Sequence, residues 1–228
     1  MFLTTKPSRR ELYLGCAYLC LYLAVLPWLI PVGMYFLVPQ ATVLQVNLVF
    51  FTLNFAAVFL IFRRFLCRSF RDALKAPMQT LFYAVLGFLG AQTLVGLVTG
   101  IIAGIAPEFA NINDQSIQSM AAENFTLMAL GSVVLAPVTE ELLFRSVIFR
   151  GLYDRSPLGA QAASMVLFSA VHISGYIGSC SPKVLLLCFL QYLPAAYCLN
   201  FAYRRGGTII APILTHMLVN LSVFSAMR

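Results

Sequence analysis

Long apolar stretches separated by short polar segments organise this chain. Seven of them are long enough to cross about 30 Å of hydrocarbon as α-helices, which takes about 20 residues each. Their approximate bounds are 12–37, 43–62, 78–105, 128–152, 159–178, 183–203 and 208–226. The pattern predicts an all-α fold, a polytopic transmembrane helical bundle of about seven spans, with six to eight as the range.

The composition agrees with lipid as the solvent for most of the chain. Of the 228 residues, 61% are hydrophobic and 10% are charged, whereas a soluble globular domain is about 45–50% apolar and about 25% charged. So few charges cannot cover a surface that faces water. The lipid bilayer is therefore the first predicted partner, and we expect a multi-pass protein of a cell membrane.

Basic residues collect in alternate segments between the predicted spans. They are Lys6, Arg9 and Arg10 before the first span, Arg63, Arg64, Arg68, Arg71 and Lys75 after the second, Arg150 and Arg155 after the fourth, and Arg204 and Arg205 after the sixth. Because basic loops stay in the cytoplasm, the N-terminus is predicted to be cytoplasmic and the C-terminus to lie outside. This pattern accounts for the formal net charge of +7, so nucleic acid is not expected as a partner.

The chain is predicted to form one membrane domain, 1–228, because it shows no internal repeat, low-complexity tract or linker. The first apolar stretch is too long for the core of a cleaved signal peptide, so we expect an uncleaved first span. In the third span, Gly87, Gly90, Gly96 and Gly100 stand at spacings that let membrane helices approach each other closely.

The spans contain a small set of ionisable residues. Of the five glutamates, Glu140 and Glu141 stand together in the fourth span, and the two histidines, His172 and His216, lie in the fifth and seventh. An ionisable side chain inside a membrane is costly and needs a partner or a function. This concentration predicts a functional site within the bundle.

Spacing along the helices assigns partners to some of these residues. Glu141 and Arg145 are four residues apart, in the order that favours an ion pair, so Arg145 is expected to neutralise Glu141. Glu140 is rotated by about 100° around the helix and is left without an obvious cation. Two further pairs share a helix face, Phe168 with His172 and His216 with Asn220.

The estimated depth of these residues in the membrane is consistent with a shared site. At about 1.5 Å per residue, Glu140, His172 and His216 all lie about 12–20 Å from the cytoplasmic edge, so they can meet in one layer. This estimate favours a pocket in the cytoplasmic half of the membrane. Pro137, one turn before the glutamates, is expected to kink the fourth helix and open space for water.

These residue types are suited to the hydrolysis of an amide bond. A carboxylate such as Glu140 can act as a general base on water, and His172 can orient that water. His216 and Asn220 can donate hydrogen bonds to the oxyanion that develops. Glu140, His172 and His216 could instead bind zinc, but the His-Glu-x-x-His helix is absent, so no cofactor or metal is expected.

Three motifs resemble those of the CPBP intramembrane proteases, which include the type II CAAX prenyl endopeptidases. They are Glu140-Glu141-x-x-x-Arg145, Phe168-x-x-x-His172 and His216-x-x-x-Asn220, the last preceded by Pro212-Ile213. The resemblance covers about 126–228, and the spans in 1–125 show no recognised motif.

The resemblance implies an intramembrane endopeptidase of the glutamic type. Glu140, His172, His216 and Asn220 would be catalytic. Glu141, Arg145 and Phe168 would support the site. The implied substrate is a membrane-associated peptide or protein, and the compact loops favour a prokaryotic plasma membrane.

Two other functions remain open from the sequence. A non-catalytic membrane protein that binds a peptide, as an immunity factor or a scaffold, could use the same pocket. A small proton-coupled carrier could use Glu140 and the histidines as a relay, although the chain lacks the repeated halves that many transporters show.

Overall fold

The computed structural model describes residues 5–227 and consists of helices. They are α1 (Arg9–Ala24), α2 (Leu26–Leu37), α3 (Val43–Lys75), α4 (Pro77–Ile105), α5 (Ile112–Glu123), α6 (Phe125–Tyr153), α7 (Pro157–Ser174), α8 (Pro182–Gly206) and α9 (Ile210–Ser225). The part of the chain that the structure describes contains no β-strand, only an isolated bridge between Ile177 and Cys180. The predicted all-α bundle is confirmed. Residues 1–4 and 228, the two ends of the predicted single domain, lie outside the described residues.

Polar side chains just outside the apolar stretches fix where several helices begin. Ser8 and Glu11 form a reciprocal capping box at the start of α1, and Thr42 and Gln45 do the same for α3. Such pairs satisfy amide groups that have no partner within the helix. At α7, Ser156 accepts a hydrogen bond from a first-turn amide, directly before a proline at the first helical position.

Four helices are long and apolar enough to cross a membrane, namely α3, α4, α6 and α8. A fifth is added if α1 and α2 together form one span. The predicted fifth and seventh spans, now α7 and α9, have 18 and 16 residues and are not among the four. The chain is a multi-pass membrane protein, while the count of seven spans and the side of the N-terminus stay predictions.

The predicted first span is broken. α1 and α2 meet at Val25 with a bend of 60°. Pro27 lies in the first turn of α2 and Pro31 lies inside it, and a proline cannot donate the amide hydrogen bond that would continue a straight helix. The result is a broken span or a re-entrant segment instead of one continuous helix.

Helix α6 lies at the centre of the bundle. In its most apolar window 61% of the residues are buried, compared with 17% for α3 and α4. Two stretches of α6 are π-helical, Leu130–Leu135 and Glu141–Phe149. Pro137 follows the first of them, and the chain continues as one helix from Phe125 to Tyr153. The kink predicted at Pro137 stays a prediction.

Contacts gather the basic segments at one end of the bundle. Lys6 forms an ion pair with Asp154 across 3.0 Å, and Arg68 donates a hydrogen bond to the backbone carbonyl of Lys6. Gln79, at the start of α4, donates to the backbone carbonyl of Arg205 at the end of α8. We call this the basic end, and we call the opposite end, where α5 lies, the α5 end. The predicted grouping of the basic segments is confirmed.

The glycines of α4 divide into two groups. A β-carbon on Gly87 would lie 3.0 Å from the Ala202 β-carbon and 3.1 Å from the Thr215 hydroxyl, and one on Gly90 would lie 3.3 Å from the Cys198 sulfur. These two glycines therefore allow α8 and α9 to approach α4 closely, as predicted. A β-carbon on Gly96 or Gly100 would meet no atom of another helix within 4 Å, so the prediction of close packing was wrong for them.

The glycine contacts give a first test. Replacing Gly87→Leu should lower the free energy of unfolding by about 1–3 kcal/mol, because the added side chain must displace α8 or α9. Gly96→Leu adds the same atoms where the structure is open and should leave stability nearly unchanged. Thermal unfolding of both variants in one detergent measures the difference, and equal losses of stability would contradict the packing described.

Candidate active site

A buried ion pair forms the centre of the site on α6. Glu141 and Arg145 are both fully buried, and Arg145 donates from Nη1 to Glu141 Oε1 at 3.2 Å. Arg145 Nε also lies 3.1 Å from Oε2, although these two atoms are not aligned as a hydrogen bond. Arg145 Nη2 donates to the carbonyl of Ala196 on α8 across 3.4 Å. The ion pair expected from the sequence is present and joins α6 to α8.

Glu141 has a second partner that the sequence did not indicate. Its Oε1 atom lies 2.8 Å from Nδ1 of His216 on α9. The same carboxylate oxygen therefore contacts both Arg145 and His216, and it fixes the position of the imidazole. Residues 75 positions apart make this contact, so no local spacing could have revealed it.

Glu140, the second carboxylate, faces both histidines. Its Oε2 atom lies 3.8 Å from Nε2 of His172 and 4.0 Å from Nε2 of His216. This oxygen is buried and has no hydrogen-bond partner among the described residues. The structure thus brings together Glu140, His172 and His216, as the depth estimate predicted.

The hydrogen-bond partner of Nδ1 in each histidine shows which ring nitrogen carries the proton. His172 Nδ1 lies 2.8 Å from the carbonyl oxygen of Phe168, and a carbonyl can only accept, so Nδ1 carries the hydrogen. His216 Nδ1 faces the Glu141 carboxylate in the same way. In the neutral rings both Nε2 atoms therefore present lone pairs toward Glu140. While both rings are neutral, Glu140 Oε2 and the two Nε2 atoms are three hydrogen-bond acceptors around one small space, which suits a donor such as water.

Phe168 packs between the charged residues and both imidazoles. The Arg145 guanidinium carbon lies 4.3 Å from the centre of its ring, a cation–π distance. The ring centres of His172 and His216 lie 4.6 Å and 5.7 Å away. Phe168 thus contacts Arg145 and both histidines, and its supporting role in the site stays a prediction.

Asn220 binds to the backbone of α6. In the first π-helical stretch the amide of Ala136 donates to the carbonyl of Gly131. If this pairing with the amide five residues later continued, the carbonyl of Ser132 would accept from the amide of Pro137. Proline has no amide hydrogen to donate. The side chain of Asn220 supplies the missing donor, with Nδ2 at 2.7 Å from the Ser132 oxygen. Asn220 therefore holds α9 against α6 in this structure, and its contribution to chemistry stays a prediction.

A cavity of about 680 Å³ leads away from this group of residues. Glu140, His172 and His216 line one part of it, and Asn113 and Asp114 of α5 line another. The cavity therefore extends toward the α5 end. The preference for a pocket in the cytoplasmic half stays a prediction, since it depends on which end of the bundle faces the cytoplasm. A buried aromatic core packs around α6. That core includes Phe62, Phe65, Phe144, Phe149 and Phe168.

Sequence reasoning missed Tyr192 on α8. Its ring is stacked on His172, with centres 4.3 Å apart and planes at 28°. A tyrosine in an apolar helix gives no signal of such a role by itself. The stacking restrains the rotation of His172 and places Tyr192 beside the histidine that faces Glu140.

Within residues 5–227, no group of three or more His, Cys, Asp or Glu side chains is arranged to hold a metal ion. This includes Glu140, His172 and His216, the set considered for zinc. The expectation that the protein needs no cofactor stays a prediction.

The buried ion pair gives a second test. Arg145→Met should lower the free energy of unfolding by about 3–5 kcal/mol, because it leaves the Glu141 carboxylate buried without its cation. Arg155→Met, at an exposed position in the loop after α6, is the matched control and should change stability little. Denaturation in detergent micelles measures both variants. An equally stable Arg145→Met protein would show that the pair contributes nothing to the fold.

Comparison with known proteins finds relatives among bacterial membrane proteins. Two curated relatives are "Putative membrane peptidase YdiL" of Bacillus subtilis (strain 168), 28% identical over 148 residues, and "UPF0177 protein YbdJ" of Lactococcus lactis subsp. lactis (strain IL1403), 26% identical over 146 residues. Each match covers 63% of this chain, and 55% and 59% of the respective relative, so the chain spans little more than half the length of these relatives. No solved structure matches significantly.

The family comparison covers the region that carries all three motifs. The resemblance noted from the motifs is confirmed for this region, because residues 122–222 match the model of the family described as "Type II CAAX prenyl endopeptidase Rce1-like".

Proposed function

We propose that this protein is an intramembrane endopeptidase that hydrolyses a membrane-associated peptide or protein with water activated by Glu140. The observation that carries the proposal is the buried Oε2 atom of Glu140. It has no hydrogen-bond partner within residues 5–227 and faces the Nε2 atoms of His172 and His216 at 3.8 Å and 4.0 Å. The match of residues 122–222 to a peptidase family supports it.

The charges of the site indicate how its protons are distributed. Two buried carboxylates, Glu140 and Glu141, are accompanied by one buried guanidinium, Arg145. An uncompensated buried charge costs several kcal/mol, so one protonated imidazole would make the group neutral. We infer that His216 carries this proton, since its Nδ1 hydrogen already faces Glu141 at 2.8 Å. His216 Nε2 then has a hydrogen to donate.

This arrangement is suited to direct attack by water. Glu140 takes one proton from water, and His172 Nε2 accepts a hydrogen bond from the other while the water oxygen attacks the carbonyl carbon of the peptide bond. The Nε2 hydrogen of His216 stabilises the resulting oxyanion, and Asn220 is a second candidate donor. Glu140 then passes its proton to the leaving nitrogen as the carbon–nitrogen bond breaks. The immediate products are a carboxylic acid and an amine, and transfer of the acid proton to the amine gives a carboxylate and an ammonium ion.

The position of the cavity suggests how substrate enters. The cavity lies toward the α5 end, away from the basic residues. If the basic end is cytoplasmic, as positively charged loops favour, a peptide would reach Glu140 from the outer side of the membrane. The bacterial relatives agree with a prokaryotic plasma membrane as its location.

The proposal predicts that Glu140→Gln abolishes proteolysis. The amide cannot accept a proton from water, so the rate should fall by about 100-fold or more, while the protein remains folded and inserted. Mass spectrometry of small membrane and lipidated peptides from cells expressing either form would show shortened peptides only with the wild type.

Glu108→Gln is the matched control, since Glu108 is exposed and does not line the cavity; its peptide profile should equal that of the wild type. Undiminished cleavage by Glu140→Gln would contradict the mechanism. Identical profiles from all three proteins would favour the alternative of a non-catalytic peptide-binding protein.

A further inference from the structure

A polar network forms one wall of the cavity next to the proposed active site. The Tyr192 hydroxyl donates to Asp114 Oδ1 at 3.3 Å and accepts from Asn113 Nδ2 at 2.9 Å. The Tyr176 hydroxyl donates to Asn113 Oδ1 at 3.4 Å. Because the ring of Tyr192 is stacked on His172, the network connects Asp114 to the group that faces Glu140.

Asp114 is a negative charge without a cation. Apart from Glu140, it is the one acidic residue among those that line the cavity, and no lysine or arginine of the described chain lines it. Asp114 takes part in none of the ion pairs among residues 5–227. The cavity therefore carries an uncompensated negative charge at its α5 wall.

The surroundings of Asp114 differ from those of an ordinary surface carboxylate. Its side chain is open to the cavity, yet protein surrounds it on several sides. This burial raises the pKa of Asp114, although the hydrogen bond from Tyr192 opposes the change. A cation bound in the cavity would favour the charged form.

The fold of α5 does not by itself require an acid at this position. An acidic residue in the first turn of a helix is favourable, but Asn111 already caps α5. Its side chain accepts hydrogen bonds from the amides of Asn113 and Asp114 at 3.0 Å and 3.4 Å. The Asp114 carboxylate therefore does not cap the helix. It accepts a hydrogen bond from the Tyr192 hydroxyl and lines the cavity.

We propose that Asp114 binds a lysine or arginine side chain of the substrate close to the bond that is cut, an inference that rests on the proposed peptidase function. Asp114 accepts a hydrogen bond from the Tyr192 hydroxyl, and His172 stacks on the face of the same ring. An extended peptide advances about 3.3 Å per residue. The basic residue therefore lies within about three residues of the cleaved bond.

The test is the digestion of a peptide library of mixed sequence by the purified protein in proteoliposomes. The wild type, Asp114→Asn, Asp114→Lys, Glu140→Gln and the control Glu108→Gln are compared by mass spectrometry. Cuts that depend on Glu140 should show lysine or arginine enriched several-fold at one fixed position near the cut. The enrichment should persist in Glu108→Gln, disappear in Asp114→Asn and change to acidic residues in Asp114→Lys.

The results separate failure of this inference from failure of the proposed function. If cuts depend on Glu140 but show the same preferences in the wild type and Asp114→Asn, the inference is overturned and the peptidase function stands. If no cut depends on Glu140, the proposed function is overturned.

A second measurement tests the negative charge of Asp114 in a protein that cannot cleave peptides. A cysteine is placed in a Glu140→Gln protein by Ile117→Cys, one helical turn from Asp114 on the cavity wall. It should react several-fold faster with a cationic methanethiosulfonate than with an anionic one, as measured at that position by mass spectrometry. Adding Asp114→Asn should remove most of this difference, and an unchanged ratio would overturn the inference whatever the library shows.

Discussion

The Glu141 carboxylate is the interaction on which the rest of the site depends. It is fully buried, and it holds Arg145 of its own helix and His216 of α9 with one oxygen. Arg145 in turn contacts the backbone of α8 and the ring of Phe168 on α7. A single acidic side chain thus links four helices. A buried carboxylate with these partners is costly to leave unpaired, so the partners are held in one arrangement.

The helix that carries this carboxylate departs from regular α geometry on both sides of Glu140. The first π-helical stretch leaves the Ser132 carbonyl without a backbone donor, and Asn220 supplies one. The second, Glu141–Phe149, is buried along its whole length. Non-standard helical turns are common at functional sites. Here they place Glu140 toward the cavity while Glu141 remains inside the protein.

Two neighbouring glutamates therefore have different environments and different proposed roles. Glu141 Oε1 contacts both Arg145 and His216, whereas Glu140 Oε2 has no hydrogen-bond partner among the described residues. Each histidine is oriented through its Nδ1 atom, by the Phe168 carbonyl or by Glu141, which leaves both Nε2 atoms directed at Glu140. The division into a supporting carboxylate and a reactive one is a consequence of packing, because the two residues are chemically identical.

The sequence by itself determined the all-α membrane bundle, the grouping of basic segments at one end, the Glu141–Arg145 pair and the set of residues that could meet in one layer. Each follows from a local property, namely apolar length, charge in loops, helical spacing or depth. Only the tertiary structure decided that Glu141 also holds His216, that Asn220 binds Ser132, that Tyr192 lies against His172 and that the cavity extends toward α5. These features join residues far apart in the chain, and they depend on how helices pack around α6, which no local pattern of residues encodes.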